Sequence, residues 1–125
     1  MIRPFISGAG GIGLAGRGGG TAVNNFAAVK DQLADILDGR YDSYIRSWAR
    51  GIADLDYPVA IRFAHEMNGD WYPWSEQVNG NAEGEYVRAY RHVHDIFTAA
   101  GADNVTWVWS PNVTYTGSLP FESYY

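Results

Sequence analysis

Apolar residues recur along this chain at two different periods. From Asp42 onward Tyr44, Ile45, Trp48, Ala49, Ile52 and Leu55 return every three or four positions, as one buried face of a helix requires, and Asp56-Tyr57-Pro58 ends the run. Asp42 stands where a side-chain oxygen can cap the first turn. Upstream, Phe26, Val29, Leu33, Ile36 and Leu37 keep the same spacing between a Thr21 cap and Gly39. A third helix is predicted from about Glu83, with Tyr86, Val87, Tyr90, Val93, Phe97 and Ala100 on one side and Gly101 as its stop. The apolar stretches 2–7, 59–64 and 104–109 are too short for helices and read as strands. Strand, helices, strand, helix, strand is the order of a parallel α/β sheet.

Alternation inside the second strand sorts its side chains. Val59, Ile61 and Phe63 share one face, while Ala60, Arg62, Ala64 and Glu66 share the other. In a (β/α) barrel the bulky face lies under the helices, so Arg62 and Glu66 would point inward, Glu66 at the C-terminal mouth where such folds place their chemistry. A closed eight-stranded barrel takes roughly 250 residues. This chain has 125. The expectation is therefore either a small open sheet or a piece of a barrel, with the chain stopping in mid-structure after Leu119-Pro120-Phe121-Glu122-Ser123-Tyr124-Tyr125.

Between Gly8 and Gly20 eight of thirteen residues are glycine, which excludes a helix and predicts a flexible loop. Gly8-Ala9-Gly10-Gly11-Ile12-Gly13 matches G-x-G-x-x-G, but no helix opens behind it to meet a pyrophosphate, so the glycines alone are all that supports a nucleotide site. The formal charge of −5 and the lack of any Lys/Arg cluster argue against nucleic acid. No stretch reaches the ~20 apolar residues of a membrane span, and Met1-Ile2-Arg3-Pro4 does not open a signal peptide. Zero cysteines exclude disulfides and thiolate chemistry. The surplus is aromatic: five Trp and nine Tyr, side chains with an apolar face and a polar edge that suit either a core or a sugar-stacking surface.

The chemistry concentrates in His65-Glu66-Met67-Asn68-Gly69-Asp70-Trp71-Tyr72-Pro73-Trp74-Ser75. A carboxyl at the end of a strand, beside an imidazole and ringed by aromatics, is what glycosidic bond cleavage asks for: a proton for the leaving oxygen and flat surfaces for the sugar. The plain alternative is a structural salt bridge from Glu66 to Arg62. His65-Glu66 also begins like the zinc signature H-E-x-x-H, but the fifth position is Gly69, so no metal is expected. His92 and His94 lie about 200° apart around a helix and cannot converge on one ion; one core and one surface histidine is the ordinary reading. No cofactor is implied.

This segment resembles the acid/base segment of glycoside hydrolase family 26, the β-mannanase and lichenase family of the retaining clan built on (β/α) barrels. Gly39-Arg40-Tyr41-Asp42 with Trp48-Ala49, Tyr90-Arg91-His92-Val93-His94-Asp95-Ile96-Phe97, and Trp107-Val108-Trp109-Ser110-Pro111-Asn112 resemble further stretches of the same family, so that the recognisable core covers residues 39–112. The resemblance implies a fold class of α/β, a partial (β/α)8 barrel of roughly strands 3 to 5 with the intervening helices, residues 1–125 forming part of one catalytic domain. It implies that Glu66 is the general acid/base, that His65 positions the sugar, and that Trp71 lines the cleft near the scissile bond. Trp74, Trp109 and Asn112 are expected at the mouth as substrate-binding residues; each indole has core packing as its alternative, Trp107 above all against the helices. The family's nucleophile, a second glutamate on the seventh barrel strand, has no counterpart in this sequence. The expected function is thus a segment of an endo-β-1,4-mannanase-like hydrolase, inactive alone, with a mixed-linkage β-glucanase or a non-catalytic carbohydrate-binding module as alternatives. The expected partners are a β-linked polysaccharide and the missing barrel strands of a secreted parent chain.

Overall fold

The computed structural model describes residues 3–5, 13–15 and 33–125, with side chains from Leu33 onward. Its elements are β1 (Arg3–Phe5), β2 (Gly13–Ala15), α1 (Leu33–Leu37), α2 (Asp42–Ala53), β3 (Val59–Ile61), α3 (Glu85–Ala99), β4 (Val105–Trp107) and a closing 3-10 turn (Phe121–Tyr124). The upstream part of the first predicted helix, with its Thr21 cap, Phe26 and Val29, lies outside the described residues.

β3 and β4 pair in parallel, Val59 opposite Val105, Ala60 opposite Thr106 and Ile61 opposite Trp107. The ladder continues at both ends, Val59 N donating to Asn104 O at 2.9 Å and Val108 N to Ile61 O at 2.7 Å. β1 departs from expectation. It pairs antiparallel with β2, inside the glycine run that was read as a loop, and lies close to β3 without joining its ladder. Only residues 6–12 separate β1 from β2. A parallel pairing needs a crossover of a dozen residues or more, so a return this short can only be antiparallel. The described strands are therefore two pairs rather than one parallel sheet of three, and only two of them are parallel.

The helices cover one face of the parallel pair. Ile45, Ala49 and Ile52 of α2 meet Val59 and Ile61 of β3, Val93 and Phe97 of α3, and Ala102. Trp107 takes the helix side, its ring within 5.3 Å of Phe97 and His94 and 5.7 Å of Tyr90. On the opposite face the register partners Ala60 and Thr106 are exposed.

Helix ends explain why the periodic runs stop where they do. After α3, Gly101 adopts φ +75°, Gly101 N donates to Thr98 O, and Ala102 N donates to Phe97 O. That bonding pattern closes a helix through a left-handed residue, and the following apolar side chain, Ala102, packs with Phe97. The first turn of α3 is satisfied from afar, Tyr86 N donating to Glu76 Oε1 at 2.9 Å. The end of α2 is tied down by Asn104, whose amide donates to the carbonyls of Ile52, Leu55 and Tyr57. Asp42 is not a cap as predicted: it lies within α2 and makes no capping bond. His92 of α3 competes successfully for its carboxylate, at 2.6 Å, and so joins the two helices. His94 is the surface histidine expected, exposed beside Asp95, whereas His92 is half-buried between the helices rather than in the core.

Candidate active site

β3 ends at Ile61, before the alternation predicted for 59–64 is complete. Past it, Ala64 (φ 46°) and Glu66 (φ 54°) both take left-handed backbone conformations. For residues with a Cβ this costs roughly 1–2 kcal/mol each, so something must hold them. Glu66 N donates to Ser110 O at 2.7 Å, anchoring the turn to the segment beyond β4. The twist also redirects side chains. Ala64, expected on the same face as Glu66, drops into a second apolar cluster with Met67, Trp74, Tyr86, Ala89, Leu33 and Tyr124, while Glu66 stays half-buried at the surface.

Glu66 and Trp71 meet directly. The indole Nε1 of Trp71 donates to Glu66 Oε2 at 3.1 Å. The ring lies over Gly69, where a Cβ would come within 2.6 Å of Cζ2 and Cζ3, so the close approach requires glycine. Trp71 remains 45% exposed and so offers a face to solvent.

His65 faces a different set of partners. Its Nε2 is 3.1 Å from the Tyr72 hydroxyl, and its carbonyl accepts the indole N–H of Trp74 at 2.8 Å. Tyr72 stacks on Trp74 with ring centroids 4.3 Å apart and planes 12° from parallel. Burial lowers the His65 pKa, the nearby Arg62 guanidinium lowers it further, and Glu66 opposes both. The imidazole is thus kept neutral more readily than a free one.

The remaining predicted residues separate. Trp74 is only 7% exposed and braces His65 from below rather than presenting a face to the mouth. Trp109 lines a cavity of about 340 Å³ with Tyr86, Val87, Tyr90, Arg91, Tyr124 and Tyr125. None of these belongs to the Glu66–Trp71 segment. Its Nε1 is buried without a partner among the described residues. Asn112 is brought to the site through its backbone: its N–H donates to Asn68 Oδ1 at 2.8 Å and its carbonyl accepts Asn68 Nδ2 at 3.0 Å.

Asn68 is the residue sequence reasoning missed. It is fully buried, and besides the paired bonds to Asn112 its carbonyl accepts Leu119 N at 3.2 Å and Gln77 Nε2 at 3.3 Å. Asn81 does a similar task further on, donating to the carbonyls of Pro73 and Ser75 and accepting Leu33 N. Tyr115 was missed too. Its ring lies 5.7 Å from that of Trp71 and its hydroxyl 3.5 Å from Asp70 Oδ1. The available signal was a tyrosine in a Thr-Tyr-Thr-Gly-Ser turn in the loop that follows the last strand.

The arrangement places one carboxyl group, fixed by a strained turn and an indole N–H, beside an imidazole whose pKa burial lowers and an exposed aromatic face. It can donate and accept a proton next to a flat, hydroxyl-rich ligand. Among the described residues no cluster of His, Asp and Glu suits a metal ion.

The chain is similar in sequence to known proteins. A family model described as glycosyl hydrolase family 26 matches residues 21–124. The chain is 40% identical over 101 residues to Endoglucanase H of Acetivibrio thermocellus, which takes in 72% of this chain and 11% of that protein. It is 29% identical over 96 residues to a mannan endo-1,4-beta-mannosidase of Bacillus subtilis (66% of this chain, 26% of that protein). To the Beta-1,3-xylanase TXYA of a Vibrio species it is 28% identical over 83 residues (66% and 16%). The chain thus spans between 11% and 26% of the length of these relatives. Since the family match runs from ahead of α1 through β4 and includes the whole Glu66 segment, the chain belongs to glycosyl hydrolase family 26.

Proposed function

We propose that Glu66 is the general acid/base of a retaining endo-β-1,4-mannanase-like glycoside hydrolase, and that these 125 residues carry one half of its active site. The observation that carries this reading is the Glu66 carboxylate held by Trp71 in the turn that follows β3. In such a reaction Glu66, protonated, gives its proton to the glycosidic oxygen as the bond breaks. As the carboxylate it then takes a proton from the water that releases the sugar. Trp71 fixes Oε2, leaving Oε1 to face the leaving oxygen, and His65 and Trp71 hold the sugar ring.

Retention also needs a nucleophilic carboxylate about 5–5.5 Å from the acid. We assign it to polypeptide outside this sequence, together with the remaining strands of a (β/α)8 barrel in which β3 and β4 would be adjacent parallel strands. The exposed Ala60 and Thr106 suit that reading, because they leave the face of β3 and β4 opposite the helices uncovered among the described residues, the face that would look into a barrel. Secretion of the parent protein belongs to the same proposal.

The substrate has two readings. The mannanase relatives favour β-mannan, whereas the 40% identity to a protein named Endoglucanase H favours a β-glucan. Assays of the purified chain on β-mannan, lichenan and mixed-linkage glucan test the proposal, with little or no turnover expected on any of them. Turnover that Glu66→Ala abolishes would overturn the missing nucleophile and keep the role of Glu66; turnover that survives Glu66→Ala would overturn that role.

A further inference from the structure

We propose that Tyr115, with Trp71 and Asp70, forms a second saccharide position beside Glu66, taking the neighbouring hexose of a β-linked polysaccharide. The inference rests on the proposed function and extends it to a residue on a different loop.

Trp71 and Tyr115 are large aromatic residues left 45% and 39% exposed, with ring centroids 5.7 Å apart and planes tilted by 35°. They come from two different segments, one following β3 and the other following its neighbour β4. An angled pair of this kind presents two faces rather than one, and only the first ring touches Glu66. Aromatic faces accept the C–H surface of a pyranose while leaving its hydroxyls to polar groups at the edge. Asp70 is that edge. It is exposed, and its long 3.5 Å contact with the Tyr115 hydroxyl leaves both groups able to turn toward a ligand hydroxyl.

The loop that carries Tyr115 is built, not loose. Tyr115 N donates to Ser118 Oγ at 3.1 Å, and Tyr115 O accepts both Ser118 Oγ at 3.0 Å and Ser118 N at 3.1 Å. Gly117 supplies the φ of +103° that closes this turn. Both ends of the loop are sewn to one buried residue, Asn112 to the side chain of Asn68 and Leu119 to its carbonyl. Asn68 lies two residues after Glu66 and three before Trp71. The two aromatic faces are therefore held in register by the same anchor that follows the carboxylate.

The test titrates the 125-residue chain with β-1,4-linked manno-oligosaccharides and mixed-linkage gluco-oligosaccharides of increasing length, by calorimetry and tryptophan fluorescence. Affinity should rise as the ligand grows long enough to reach the second ring. Tyr115→Ala should remove that rise, weakening the longer ligands by roughly 3- to 10-fold while leaving the shortest that binds unchanged. Tyr115→Phe should keep most of it. Tyr115→Leu, which retains apolar bulk without a flat ring, should behave like Tyr115→Ala and guards against misfolding of the smaller variant. Equal weakening at all lengths, or none at any, overturns the second position and leaves the proposed function standing. A wild-type chain that binds no β-linked oligosaccharide overturns both.

Discussion

The apolar cluster beneath the strands and the one beneath the mouth are held together in different ways. In the first, every buried side chain from α2, β3 and α3 sits at its helical or strand period, and side chains such as Asn104 and Glu76 are needed only at the helix ends. Contacts of that kind are non-directional and depend on buried area. In the second, Ala64, Met67 and Trp74 come from a segment with no ladder of its own. Its backbone carbonyls still need partners, and side chains supply them: Asn68, Gln77, Asn79, Asn81 and the Trp74 indole. Stability and site geometry therefore reside in different parts of the molecule. A change in the first cluster costs folding free energy; a change in the second moves a particular loop.

The largest effect is expected from the first cluster. Phe97 is 1% exposed and meets Trp107 edge-on at 5.3 Å. Phe97→Ala should lower stability by about 3–5 kcal/mol, read from urea unfolding. The folded fraction should keep the Trp71 environment, seen in its fluorescence. A shift of the Trp71 signal in folded protein would mean the two clusters are one unit, and the contrast would fail.

Asn68→Ala should cost less, about 2–3 kcal/mol, because it strands the N–H and carbonyl of Asn112 rather than emptying a large volume. Its distinguishing consequence is local. Amide exchange at Asn112 should accelerate strongly while the amides of α3 hold their protection. Protection of Asn112 that persists would show the loop to be held by something other than the Asn68 side chain.

This contrast also governs how much was legible in the sequence. The faces of α2 and α3, and Val59 and Ile61 under the helices, follow from spacing alone, because a periodic element needs only its own residues to declare its buried side. Glu66, His65 and Trp71 could be singled out as candidates because they stand within seven consecutive residues. What the pattern did not carry is contact at a distance. The bonds from Asn68 to Asn112 span 44 residues, and Tyr115 reaches Asp70 across 45. Asp42 reads as a cap from its neighbours but answers to His92, 50 residues away. Alternation failed at Ala64 because the strand ends early and two left-handed residues turn the chain. Gly13–Ala15 escaped notice because backbone pairing asks nothing of side chains.

The smallest effect sharpens the comparison by pH. His65 belongs to the second region, and burial first, then Arg62, lowers its pKa below the ordinary 6.5. The unfolded chain therefore binds this proton more readily than the folded one. The sign follows: the stability tied to neutral His65 is fully present above about pH 6.5 and is lost as the pH falls through the lower, folded-state value. His65→Asn removes the titrating group, so the melting temperature of the wild type should fall further than that of the variant between pH 7.5 and pH 5. Parallel slopes would show that the imidazole is not held neutral by the fold. A steeper wild-type slope, accompanied at low pH by faster exchange in residues 65–74 but not in α2, would place the acid sensitivity in the mouth. Among the described residues the buried apolar cluster around β3 contains no imidazole: His92 and His94 stand at its edge, one paired with Asp42 and the other against Trp107.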